Sequence, residues 1–131
     1  MKRRRFEEYV DRALESLPAQ FQQLLDNLAI FIEDQPSRSL LRDLGMSADD
    51  TLLGLYEGVP QTERTSTYDL VMPDRITLFQ RPIEESCDTE AQVAVQIRRT
   101  ILHEVGHHFG MDEDRLDEIE EGWDAGEPGQ R

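Results

Sequence analysis

Along FEEYVDRALESL, residues 6–17, apolar side chains recur at Phe6, Val10, Ala13, Leu14 and Leu17, steps of three and four that lay one stripe along a helix. Pro18 ends it. PAQFQQLLDN predicts a second short helix with proline in its first turn, where the missing N–H costs nothing, and Phe21, Leu24, Leu25 and Leu28 continue the apolar face. The period then changes. In LAIFIED, Ile30 and Ile32 alternate with Ala29 and Phe31, so both faces are apolar and an inner strand is expected. SRSLLRDLGMSADDTLLGLYEGVP carries Gly45, Gly54, Gly58 and Pro60, too many breakers for a long helix, and LLGLYEG reads as a strand reaching a turn. QTERTSTYDLVMPD is polar and reads as a long loop, of the kind that in a small domain is more often functional or mobile than idle. RITLFQRPI alternates Ile76 and Leu78 with Thr77 and Phe79 and closes at Pro82, which suits an edge strand because proline cannot donate to a ladder.

The strongest helix signal follows. Asp88 or Thr89 can cap it, and Ala91, Val93, Val95, Ile97, Ile101, Leu102 and Val105 run without proline or glycine up to Gly106. Gly110 suits a C-terminal cap, and Asp112 an N-cap for a last helix, DEDRLDEIEEG, with Leu116 and Ile119 on its inner face. Helices at both ends and strands between predict an α+β fold. One domain over residues 1–121 is expected, with 122–131 as a frayed tail.

Composition narrows the function classes. The lone Cys87 excludes an internal disulfide or a cysteine-rich metal cluster and reads as an ordinary half-buried thiol. MKRRRFEEYV places Glu7, Glu8, Asp11 and Arg12 where a secretory signal needs an apolar stretch, so a cytoplasmic location is expected. The longest strongly apolar run, LAIFI, falls far short of the roughly 20 residues that span a bilayer. With 28 acidic residues against 14 basic, the net charge is -14 and nucleic acid is a poor partner. Half of that excess lies in residues 112–131, where nine carboxylates face Arg115 and Arg131. Arg3, Arg4 and Arg5 read as a solvated terminus rather than a binding patch.

All three histidines fall in HEVGHHFGMDED, residues 103–114. On a helix, His103 and His107 project from one face a turn apart, so their ring nitrogens can share one tetrahedral zinc. Glu104, one residue on, can reach a metal-bound water without being a ligand and serve as its general base. A shuffle of this composition produces the His-Glu-x-x-His spacing about 0.005 times, so spacing alone is moderately specific. A catalytic zinc wants a third protein ligand and an open fourth position. The chain can reverse at Gly110 and return a carboxylate, with Glu113 the first choice and Asp114 and Asp112 close rivals. The competing reading, less favoured, makes Asp112 a cap and Glu113 and Asp114 first-turn charges that oppose the helix dipole, and one residue can serve each role. His108 points about 100° away from the ligand face and reads as a packing histidine. Gly106 permits close approach of a neighbouring element, and Tyr56 and Tyr68 are candidates to border the site and stabilise an oxyanion.

HEVGHHFGMDEDRL, with GLYEGVPQTER and LVMPDRITLFQRPIE upstream, resembles a bacterial family of zincin-like predicted metallopeptidases, also called minimal metallopeptidase-like proteins, from the first helix to about residue 120. The resemblance implies a zincin reduced to N-terminal helices, a small mixed sheet, a long active-site helix and a short C-terminal helix. It implies one zinc on His103, His107 and an acidic residue after Gly110, with Glu104 as base, and a peptide or polypeptide substrate. By analogy with zincins, an edge strand beside the active-site helix pairs with extended substrate; RITLFQRPI is assigned that task, with LLGLYEG the alternative. The ligand spacing resembles the long metzincin pattern, with Glu113 in place of histidine or aspartate and no later methionine turn. The competing readings are a zinc-binding or peptide-binding module without turnover, and a metal-free helical protein. Nothing in the sequence gives the oligomeric state.

Overall fold

The computed structural model describes residues 1–58 and 73–126, with side chains as far as residue 122. In chain order it contains α1 (Arg3–Ser16), α2 (Ala19–Gln22), a 3-10 turn (Gln23–Asn27), β1 (Leu28–Glu33), α3 (Arg38–Asp43), β2 (Gly54–Glu57), β3 (Asp74–Phe79), α4 (Gln80–Glu85), α5 (Glu90–His108) and α6 (Glu113–Gly126). The fold is α+β. The strands form one mixed sheet in the order β1-β3-β2. β1 runs parallel to β3, with Ile30 opposite Ile76, and β2 runs antiparallel to it, with Tyr56 opposite Ile76.

Residues in register point to the same side, so Ile30, Tyr56 and Ile76 share a face, as do Ile32, Gly54 and Leu78. That face meets the helices. Ile76 and Leu78 are fully buried in one core with Phe6, Val10 and Ala13 of α1, Val93, Ile97, Ile101, Leu102 and Val105 of α5, and Leu116 and Ile119 of α6. The 3.6-residue stripe expected for the first helix is therefore the one that packs, while Val95, included in the expected stripe of the long helix, is exposed.

Two strand assignments exchange places. RITLFQRPI, expected at the edge, supplies the central strand, because β3 stops at Phe79 and Pro82 falls in the first turn of α4, where its missing N–H removes no ladder bond. LAIFIED, expected inside, supplies an edge strand. Its outward Phe31 stays 44 % exposed and rests against the Arg75 guanidinium at 4.3 Å. The sequence pattern also missed α3, whose signals are the Ser37 side chain accepting the Leu40 N–H at 3.0 Å and Gly45 beyond its end at φ 75°. The loop expected over residues 61–74 lies, but for its last two residues, outside the described residues.

The arginine-rich start is tied down rather than merely solvated. Arg3 donates to Gln80 at 2.6 Å and to the Ile32 carbonyl at 3.0 Å, and Arg5 to Glu90 at 3.0 Å, which links α1 to the sheet and to both helices that follow it. Cys87 is a free, half-buried thiol, as expected. Among the described residues no helix is long and apolar enough to cross a membrane.

Candidate metal centre

α5 starts with a capping box, Thr89 accepting the Gln92 N–H while the Gln92 side chain accepts the Thr89 N–H. It ends in a crossed pair of bonds, from Met111 to the Gly106 carbonyl at 2.8 Å and from Gly110 to the His107 carbonyl at 3.1 Å, made possible by Gly110 at φ 85°. The chain reverses within two residues. Asp112 then caps α6 by accepting the Arg115 N–H at 2.9 Å. α6 seats on α5 at Gly106, where a Cβ would fall 2.3 Å from Leu116 Cδ2, so the absence of a side chain there is what lets the two helices close.

This closure carries Glu113, the first residue of α6, to the two histidines. The rings of His103 and His107 are 5.7 Å apart, nearly perpendicular. Glu113 bridges them, with Oε1 2.6 Å from His107 Nε2 and Oε2 3.5 Å from His103 Nδ1. One donor atom from each of the three lies within 4.8 Å of the others. Of the rival carboxylates, Asp112 is engaged as the cap, and Asp114 belongs to no metal-sized cluster among the described residues.

Glu104 points toward β2, where its Oε1 accepts the Tyr56 N–H at 3.0 Å. Burial raises its pKa above the ordinary carboxylate range, opposed by that N–H and by the positive charge available to His107 and His103. Between α5 and β2 runs a cleft of about 350 Å³, lined in part by Leu53, Gly54, Thr100, His103, Glu104 and Glu113.

His108 takes no part in these clusters. Its ring stacks on Tyr56 with centroids 3.8 Å apart, and its Nε2 lies 3.8 Å from Asp74 Oδ2. The same Asp74 oxygen accepts the Tyr56 hydroxyl at 2.7 Å, so that hydroxyl is turned toward Asp74 and it is the Tyr56 backbone that meets the catalytic candidate. Tyr68 lies outside the described residues. Two carboxylates escaped the sequence reading: Asp117 and Glu120 form a second metal-sized cluster with His103. Their signal was the spacing of Glu113, Asp117 and Glu120, four and three residues apart and so on one face of α6.

Two imidazoles and a carboxylate are a donor set that zinc accepts in tetrahedral sites with an open position. The side chains also fit a cation. His107 and Glu113 remain open to solvent while His103 is 18 % exposed, with its Nε2 fully buried and lacking a hydrogen-bond partner. That nitrogen does not face Glu113; the donors turned toward the shared carboxylate are His103 Nδ1 and His107 Nε2, which together with it offer a cation three ligand atoms.

A family model described as zincin-like metallopeptidase matches residues 25–123. No curated protein matches the chain.

Proposed function

The chain belongs to the zincin-like metallopeptidase family, and from that premise we propose that it is a zinc-dependent peptidase in which His103, His107 and Glu113 hold one zinc and Glu104 is the general base. The observation that carries this reading is the convergence, across the turn at Gly110, of three donor atoms within 4.8 Å beside a carboxylate raised by burial. Zinc held there supplies a Lewis acid that polarises a carbonyl and makes water easier to deprotonate near neutral pH.

The remaining work belongs to the chain. Tyr56 fixes Glu104 by one oxygen, leaving Oε2 to take a proton from the attacking water and return it to the leaving amine. The raised pKa brings Glu104 nearer to the working range of a base that must also act as an acid. β2 is the edge strand beside the cleft, and the Tyr56 N–H points away from β3 toward Glu104, so extended substrate is proposed to lie along β2. That replaces RITLFQRPI, which is interior. A net charge of -14 supports a peptide rather than a nucleic acid as substrate.

The test is a zinc determination and a peptide-cleavage assay on parent and Glu104→Gln proteins. The expected result is about one zinc per chain in both, with turnover in the parent reduced by at least about 100-fold in the variant. Undiminished cleavage by Glu104→Gln removes the mechanism, and zinc retention with no cleavage by the parent across a broad peptide library leaves a binding module.

A further inference from the structure

His103 Nδ1 faces the carboxylate it shares with His107, at the start of α6, and Nε2 faces away from it, toward Glu120 farther along the same helix. There the nearest carboxylate oxygen is Glu120 Oε1 at 3.7 Å, just beyond hydrogen-bond reach of a nitrogen that is buried and has no partner. The other Glu120 oxygen is held by Arg99 Nε at 2.8 Å. Arg99 precedes His103 by one helical turn, so the two lie on the same face of α5 and one carboxylate spans both. Glu120 and His103 are both largely buried, at 15 % and 18 % side-chain exposure, so water does not readily substitute for either.

From this arrangement we propose that Glu120 is a positioning residue for His103: it accepts the Nε2 proton and leaves Nδ1 unprotonated toward Glu113 and His107. An imidazole that offers one nitrogen to a metal must donate from the other, and a carboxylate acceptor fixes both tautomer and ring orientation while raising basicity at the coordinating nitrogen. Closing the present gap takes a few tenths of an ångström, within the range of a glutamate side chain already anchored at its other oxygen. The inference rests on the proposed zinc site and extends it along α6 from Glu113 to Glu120.

Zinc affinity, measured by competition with a chromogenic chelator, tests it without relying on turnover. Glu120→Ala is expected to bind zinc about 10- to 100-fold more weakly than the parent, the usual cost of removing such a partner. Glu120→Gln keeps an acceptor oxygen and is expected to recover most of that loss. Arg99→Ala, which breaks the ion pair but leaves the carboxylate beside His103, is expected to lose far less. In the zinc-loaded parent the His103 ring N–H should be slow to exchange in nitrogen-15 histidine spectra, and fast in Glu120→Ala. Parent-like affinity in Glu120→Ala, or equal losses in Glu120→Ala and Arg99→Ala, overturns the positioning role while leaving the zinc site intact. A parent that binds no zinc, or a His107→Ala protein that binds it as tightly, overturns the site itself and this inference with it.

Discussion

Glu104 is asked to be two things at once, a buried carboxylate and a base. Burial penalises its charged form, so its folded pKa lies above that of the unfolded chain. In metal-free protein the folded state holds this proton more tightly, so the contribution of Glu104 to stability is most favourable below its unfolded pKa and is lost as pH rises through the folded one. Glu104→Gln removes that penalty and keeps an oxygen for the Tyr56 N–H. Chemical denaturation of the metal-free proteins should therefore find the variant more stable than the parent near pH 7, with the difference closing as pH falls through the carboxylate range. A variant less stable than the parent at pH 7 contradicts this account. His103, Glu104 and His107 were legible in the sequence because their relation is a matter of position on one helix. Tyr56 as the partner of Glu104 was not, since that bond joins residues 48 apart through a backbone N–H no side chain announces.

Among the elements, the joint between α5 and α6 matters most, because the proposed ligands sit on both. Gly106→Ala puts a methyl 2.3 Å from Leu116 Cδ2, and Leu116 is fully buried with little room to retreat. The expected loss is about 1–3 kcal/mol, read by urea unfolding of the metal-free protein. Because Glu113 rides on the displaced helix, zinc affinity should fall as well. Parent-like stability and zinc binding in Gly106→Ala would show that the helices do not need this contact. At the far end of α5, Thr89→Ala breaks the capping box and should cost about 1 kcal/mol without altering zinc affinity, since the cap lies more than three turns from His103. Helix ends were readable because capping chemistry is local. Strand order was not: the alternation in LAIFIED and RITLFQRPI identified strands, but which one lay in the middle depended on partners distant in sequence.

For the whole molecule, a zinc ion held by α5 and α6 together would bind the folded chain and not the unfolded one. Free zinc at 100 times its dissociation constant should add about 2.7 kcal/mol to folding stability, seen as a Tm that rises with zinc and returns when a chelator is added. His103→Ala should lose that response. A parent Tm indifferent to both zinc and chelator would argue against a site that joins the two helices. The strong negative charge works in the same direction, since Glu113, Asp117 and Glu120 crowd one face of α6 and a cation relieves their repulsion.

Residues within a few turns of one another were enough to give the first two helices, the long helix and the last one, the turn at Gly110, the pair of histidines with its neighbouring glutamate, and the α+β class; the short α3 and α4 escaped. The tertiary structure decided which carboxylates meet His103, which strand borders the cleft and what holds Glu104. Those are contacts between segments brought together by burying a shared core, and the choice of Glu113 over Asp112 or Asp114 at the histidines turned on where the seating of Leu116 against Gly106 set the rotation of a helix.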